Sequence, residues 1–223
     1  MPSLTRAGEV FVLDVGDGEN RFHPEWLAQV HGLLDAVQSA DGPRALVTTA
    51  SGKFFSNGLD LEWLGAHGDR LPSYVIEVHQ LFARVLALPV PSVAAVQGHA
   101  FAGGGMLALA HDFRVMRADR GYFCLPEVDI NIPFTRGMSA LIQARLSKRT
   151  AHQAMTTGRR YGGTDALAAG IVDAVAHEDD VLANSIEMVR ALAGKAGPTL
   201  ATIKSRMYAD ALNALRDKDD PLG

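Results

Sequence analysis

The chain is poor in cysteine, and its single one, Cys124, sits among 223 residues. An intrachain disulfide and a cysteine-based zinc cluster are both excluded. Cys124 lies in the strand-like run "GYFCLP" and reads as a small buried hydrophobe rather than a nucleophile. Basic excess is also lacking, because the formal net charge is -4. A general nucleic-acid binder needs cations to displace counterions from phosphates, so nucleic acid is not an expected partner. Nor does any apolar run reach the roughly 18 residues of a membrane helix. A secretory leader is missing from "MPSLTRAGEVFVLDV", and "DPLG" is neither a lipidation box nor a peroxisomal tripeptide. These absences point to a cytoplasmic protein that works away from membranes.

What is present is ordinary globular material, 48% hydrophobic and 21% charged. "EVFVLDV" and "RALVTTA" read as strands. Between them "HPEWLAQVHGLLDAVQSADG" places Trp26, Leu27, Val30, Leu33, Leu34 and Val37 at helical spacing, with Pro24 at the start and Gly42 past the end. "SYVIEVHQLFARVLAL" reads as a helix stopped by Pro89 and Pro91. The runs "SVAAVQG", "FRVM", "YFCL" and "IVDAV" read as strands. Short helices are expected from Gly104 to Ala110 and in "RGMSALIQARLS", "KRTAHQAMTTG" and "GTDALAAG". Two longer helices follow, Val181 to Ala193 and Thr199 to Leu215. Leu200, Ile203, Met207, Ala211 and Leu215 form the expected apolar face of the last one. Strands alternating with helices predict an α/β fold. The organisation read from this pattern is a core over 1–175 and a helical segment over 176–223, which would serve oligomerisation and cover the pocket.

Three segments could carry chemistry. "GKFFSNGLDL", Gly52 to Leu61, can turn backbone N–H groups outward, or can be a tight turn in which Asn57-Gly58 accepts positive φ. Gly103-Gly104-Gly105 lies between a strand and an apolar helix. It can offer free N–H groups to an anion, or can simply allow close helix-to-strand packing. It lacks the Gly-Lys-Ser/Thr of a phosphate loop and the glycine spacing of a dinucleotide site. In "LPEVDINIPF", Glu127 and Asp129 sit among apolar residues. A carboxylate in such a setting has a raised pKa and can move protons near neutrality. Asp129 reads as a structural or solvent-facing acid. Two N–H sites and one acid together suit proton abstraction beside a carbonyl, with the N–H pair holding the enolate oxygen. The eight histidines show no metal-ligand spacing.

The order and spacing of "GKFFSNGLDL", "PVPSVAAVQGHAFAGGGMLALAHDFRVM", "YFCLPEVDINIPF" and "GIVDAV" resemble the crotonase, or enoyl-CoA hydratase/isomerase, superfamily from about Val10 to Met207. The resemblance implies a crotonase-like spiral of ββα units followed by C-terminal helices, assembled as a homotrimer or hexamer. It implies an acyl-CoA thioester as substrate, with coenzyme A as part of that substrate and no separate cofactor or metal. By position, the resemblance assigns the oxyanion-hole N–H groups to Asn57 and Gly104. It assigns contacts with the substrate to Ser56, Asn57, Gly58, Leu59, Asp60, Gly103 and Gly104, with Lys53 near the phosphates. On this reading the glycines keep side chains away from the thioester oxygen. Hydratases of the family carry a glutamate where this chain has Leu107, and a second that matches Glu127. The one-glutamate pattern is most like delta-3, delta-2-enoyl-CoA isomerases, with Glu127 as the proton shuttle. Asn131 and Pro133 depart from the usual pattern after the glutamate; asparagine tolerates positive φ there. Alternative readings are a crotonase-type decarboxylase or thioester hydrolase, and a non-catalytic acyl-CoA-binding protein.

Overall fold

A computed structural model describes residues 1–222. Nine strands make two sheets. Six of them, β1 (Ser3–Ala7), β2 (Val10–Asp14), β3 (Ala45–Thr49), β5 (Ser92–Val96), β7 (Phe113–Arg117) and β9 (Ala174–Ala176), lie side by side in that order. Only the β1–β2 pair is antiparallel. The remaining three, β4 (Phe54–Ser56), β6 (His99–Phe101) and β8 (Phe123–Cys124), form a small parallel sheet. Successive strands β3/β4, β5/β6 and β7/β8 each place one member in each sheet. A helix closes each turn: α3 (Leu71–Leu86), α4 (Gly103–Ala110) and α5 (Arg136–Arg145). This is a spiral of ββα turns, as expected from the sequence.

The large sheet is buried on both faces, and the period-2 alternation of strand side chains shows it. Ala45 and Val47 face one apolar cluster with Val93, Ala95 and Val115, while Leu46, Ala94 and Met116 face the other. The first cluster is covered by α8 (Glu178–Arg190) through Val181 and Val189. The second is covered by α1 (Pro24–Ser39), α3 and α4. Pro24 starts α1 as expected, since its missing N–H would have no partner in a first turn.

The last amphipathic stretch differs from its expected form. It is two helices, α9 (Pro198–Met207) and α10 (Ala209–Arg216), broken at Tyr208 (φ -108°, ψ 24°). Ala211, Leu212 and Leu215 of α10 are buried between α3 and α5, but Ile203 and Met207 are 52% and 64% exposed. Lys204 is buried in their place. Its ammonium donates to Leu88 O (3.0 Å), Val90 O (3.2 Å) and the Asp112 carboxylate (2.7 Å), which turns this side of α9 inward. The sequence reading also missed β1, β4, β6 and α2 (Leu61–Ala66). Three-residue strands and one-turn helices are too short to show a period, and β1 is an edge strand with the mixed sequence "SLTRA".

Candidate active site

A cavity of about 610 Å³ opens between α2, α3, the start of α4, the segment after β8 and the start of α5. Its wall is apolar, with Leu64, Val75, Phe101, Met106 and Met138 among the lining side chains. Among the described residues, Glu127 is the only acidic side chain in the wall. A turn closed by Ile132 N–H donating to Glu127 O (3.0 Å) holds it in place. Asn131 within this turn has φ +56°, the conformation expected of it. Glu127 is 5% exposed, and its Oε2 has no hydrogen-bond partner among the described residues. Burial without a cationic partner pushes its pKa up to about 7. Asp129 is exposed and sits against Gly158, outside the cavity wall.

The backbone donors are arranged differently from the sequence assignment. The Asn57 N–H already donates to Glu19 O at 2.8 Å, so it cannot also hold an oxyanion. Gly58 N–H is likewise engaged, by the Ser56 hydroxyl at 3.1 Å. Asp60 N–H donates to the Tyr74 hydroxyl at 2.9 Å. The donor left over in this loop, with no acceptor among the described residues, is the Leu59 N–H. In α4 the first N–H to bond back is that of Met106, to Ala102 O at 3.1 Å, so the Gly104 N–H is free as in any first helical turn. An ideal Cβ on Gly58 would lie 2.6 Å from Gly103 N and 3.2 Å from Gly104 N. Loop and helix start are therefore in contact, and the free N–H groups of Leu59 and Gly104 belong to adjoining segments. Ala102, which lines the cavity just before the triplet, is held at φ +49°, a conformation that costs a non-glycine residue roughly 1–3 kcal/mol.

The glycine triplet answers to protein packing. A Cβ on Gly104 would fall 2.1 Å from Ser56 O, one on Gly103 2.9 Å from the Phe22 ring, and one on Gly105 3.0 Å from Phe123. The chain's own atoms exclude side chains at all three positions, so packing by itself requires the glycines, which is the alternative the sequence also offered. Close packing is what brings the helix start onto the loop.

Of the substrate-contact positions, Asn57 and Leu59 line the cavity. Ser56 does not; it is fully buried, its hydroxyl donating to Asn20 O at 2.8 Å. Gly58, Gly103 and Gly104 are not lining residues, although Ala102 and Met106 on either side of the triplet are, and Asp60 caps α2 by accepting from Trp63 N–H at 3.1 Å. Lys53 lies over the Phe54 ring, 5.2 Å from its centroid, and is not in the wall. Leu107 is buried in the core, also outside the wall. The sequence reading missed Arg21 and Thr135, both of which line the cavity. Thr135 had a signal: a threonine before an apolar helix, which caps α5 by accepting from Met138 N–H at 3.2 Å. Among the described residues no cluster of three or more His, Cys, Asp or Glu side chains could hold a metal, and no helix is long and apolar enough to cross a membrane.

The ββα spiral thus carries a mainly apolar cavity with a buried carboxyl in its wall and a helix start with free N–H groups beside it. The chain belongs to the enoyl-CoA hydratase/isomerase family, whose profile matches residues 13–219. It is 37% identical to the peroxisomal enoyl-CoA delta isomerase 2 of Arabidopsis thaliana, over 96% of this chain and 95% of that one. It is 38% identical to enoyl-CoA delta isomerase 3 of the same plant, over 94% and 93%. Among solved structures, the apo enoyl-CoA isomerase of Mtb matches with a TM-score of 0.89 at 31% identity, over 96% of this chain and 94% of that one. The human mitochondrial delta3-delta2-enoyl-CoA isomerase shares the fold, with a TM-score of 0.85 at 22% identity, over 98% and 92%.

Proposed function

We propose that this protein is an enoyl-CoA isomerase, moving the double bond of a 3-enoyl-CoA to the 2-position. The observation that carries this reading is Glu127, a buried carboxyl in a mainly apolar cavity, with its Oε2 unpartnered among the described residues and its pKa raised to about 7. As a carboxylate it takes a proton from C2. Charge then moves onto the thioester oxygen, which the N–H groups of Leu59 and Gly104 receive. The resulting dienolate is reprotonated at C4 by the same carboxyl, which regenerates the carboxylate. No atom is gained or lost, and no cofactor enters beyond the coenzyme A of the substrate. Hydration would need a second acid or base to hold water, and Leu107 at the relevant position is buried hydrocarbon.

The test is a 3-enoyl-CoA in heavy water, followed by ultraviolet absorbance and mass. Conjugated product without the mass of added water is expected from the wild type. In Glu127→Gln, turnover is expected to fall by roughly 10²–10⁴-fold, the usual contribution of a general base, with binding of the CoA ester retained. Exchange at C2 without conjugation would replace this reading with another enolate reaction, such as decarboxylation or thioester hydrolysis. Binding with neither would leave an acyl-CoA-binding protein.

We further propose assembly as a homotrimer or hexamer, supported by the exposed apolar side of α9 at Ile203 and Met207. Light scattering on the purified chain tests it, and a monomer at micromolar concentration would refute it. One buried cysteine suits a reducing compartment. The cytoplasm expected from the sequence meets that condition, while the Arabidopsis relative is named for the peroxisome.

A further inference from the structure

The cavity wall holds two side chains that are both polar and deeply buried, Glu127 (5% exposed) and Thr135 (7% exposed). The Thr135 oxygen is 2.8 Å from Nε2 of His79, a residue of α3 that is itself 1% exposed, and it accepts from Met138 N–H. Burial pushes the His79 pKa down to about 4, so at neutral pH the ring is uncharged and carries one N–H. Its Nδ1 has no partner. If that single hydrogen were on Nδ1, a buried N–H donor would be orphaned, which proteins tolerate least. With the hydrogen on Nε2, the ring donates to Thr135. Both acceptor positions of the hydroxyl are then filled, by His79 and by Met138 N–H, and its own hydrogen is left for the cavity. The same cavity holds one leftover acceptor, Glu127 Oε2. A spare donor and a spare acceptor thus share a mainly apolar wall, in which Arg21 and Asn57 are the other polar side chains among the described residues.

We propose that Thr135, oriented by His79, is a positioning residue that receives the Glu127 carboxyl in the second of its two working positions, over C4 of the substrate. This rests on the isomerase reading above. Only Pro133 and Phe134 separate the turn closed between Ile132 and Glu127 from Thr135, and both Glu127 and Thr135 line the one cavity. In the first step the C2–H bond breaks and an O–H bond forms on Glu127. In the second that O–H bond breaks as C4–H forms, and negative charge returns to the carboxylate. A hydroxyl donating to that carboxylate stabilises the second transition state and not the first. Thr135 therefore favours forward collapse of the dienolate over return of the proton to C2.

The test is the ratio of C2 deuterium exchange to conjugation for 3-enoyl-CoA in heavy water. In Thr135→Val the ratio is expected to rise about tenfold or more, the effect of losing one hydrogen bond to a charged group. Thr135→Ser is expected to restore it. A lost helix cap alone would lower stability and both rates together, so an unchanged ratio overturns the proposal whether the rates fall or hold. Should the valine variant fail to fold, the wild-type enzyme with bound 2-enoyl-CoA gives a second reading. Above pH 7 its ionised Glu127 carboxylate stretch, assigned by its loss in Glu127→Gln, is expected at the shifted frequency of a hydrogen-bonded carboxylate. A band at the frequency of an unbonded carboxylate overturns the assignment. A wild type that makes no conjugated product, by contrast, removes the isomerase reading and this one with it.

Discussion

Replacing Glu127 with glutamine is expected to make the protein more stable while making it inactive, and the gain depends on pH. In the folded chain burial raises the Glu127 pKa from 4.5 to about 7. A carboxyl with a raised folded pKa binds its proton more tightly in the folded than in the unfolded state. Its stabilising effect is thus complete below pH 4.5 and lost as pH rises toward 7. At 1.36 kcal/mol per pKa unit, the ionised side chain costs the fold roughly 3 kcal/mol above pH 7. Glutamine keeps the size and removes the charge, so the stability difference should be near zero at pH 4.5. It should grow by about 1.4 kcal/mol per pH unit and level off above pH 7. Urea unfolding of both proteins at pH 4.5, 6 and 8 measures it directly. A difference that stays constant with pH would show that the Glu127 carboxyl is not held in a desolvating cavity, and the argument for a base poised near neutrality would fail with it. Because the carboxylate is the active form, kcat/KM should rise tenfold per unit up to about pH 7 and then flatten.

Gly104→Ala would place a methyl 2.1 Å from Ser56 O, and overpacking against backbone is expected to cost at least roughly 1–3 kcal/mol and to separate the helix start from the Leu59 loop. Gly32→Ala, with nothing within 4 Å of its added carbon, should instead stabilise α1 by up to about 1 kcal/mol; paired unfolding curves test both. Lys204→Met removes the cation that meets Asp112 and two carbonyls in the interior, and should destabilise by about 3–5 kcal/mol. A shift in the urea midpoint worth less than about 1 kcal/mol would place that lysine outside the fold's support.

The α/β pattern was legible because its main elements carry clear local signals, with β3 and β5 as short apolar runs and α1 with its proline and its apolar stripe where they are needed; the spiral itself was what the resemblance implied. Lys204 shows where periodicity misleads. Helical spacing put Ile203 and Met207 inside, but a lysine that can reach two carbonyls and a carboxylate at once turned its own side of α9 inward, and no count of apolar residues registers that. The site was legible at the level of residue type and not of atom. Glu127 stood out as an acid among apolar neighbours, and burial makes it what it is. Asn57 was chosen by position within "SNGLD", yet whether an N–H is available depends on a partner elsewhere, here Glu19 O, 38 residues away in sequence. Leu59 is left with a free N–H by subtraction, once Asn57, Gly58 and Asp60 have each given their hydrogen to something else among the described residues. Thr135 follows the same logic: the sequence shows a helix cap, and only the neutral His79 behind it frees the hydroxyl's hydrogen for the cavity. Function in this chain is therefore carried by hydrogen-bonding capacity left unspent after folding, and that remainder is a property of the whole structure rather than of any motif.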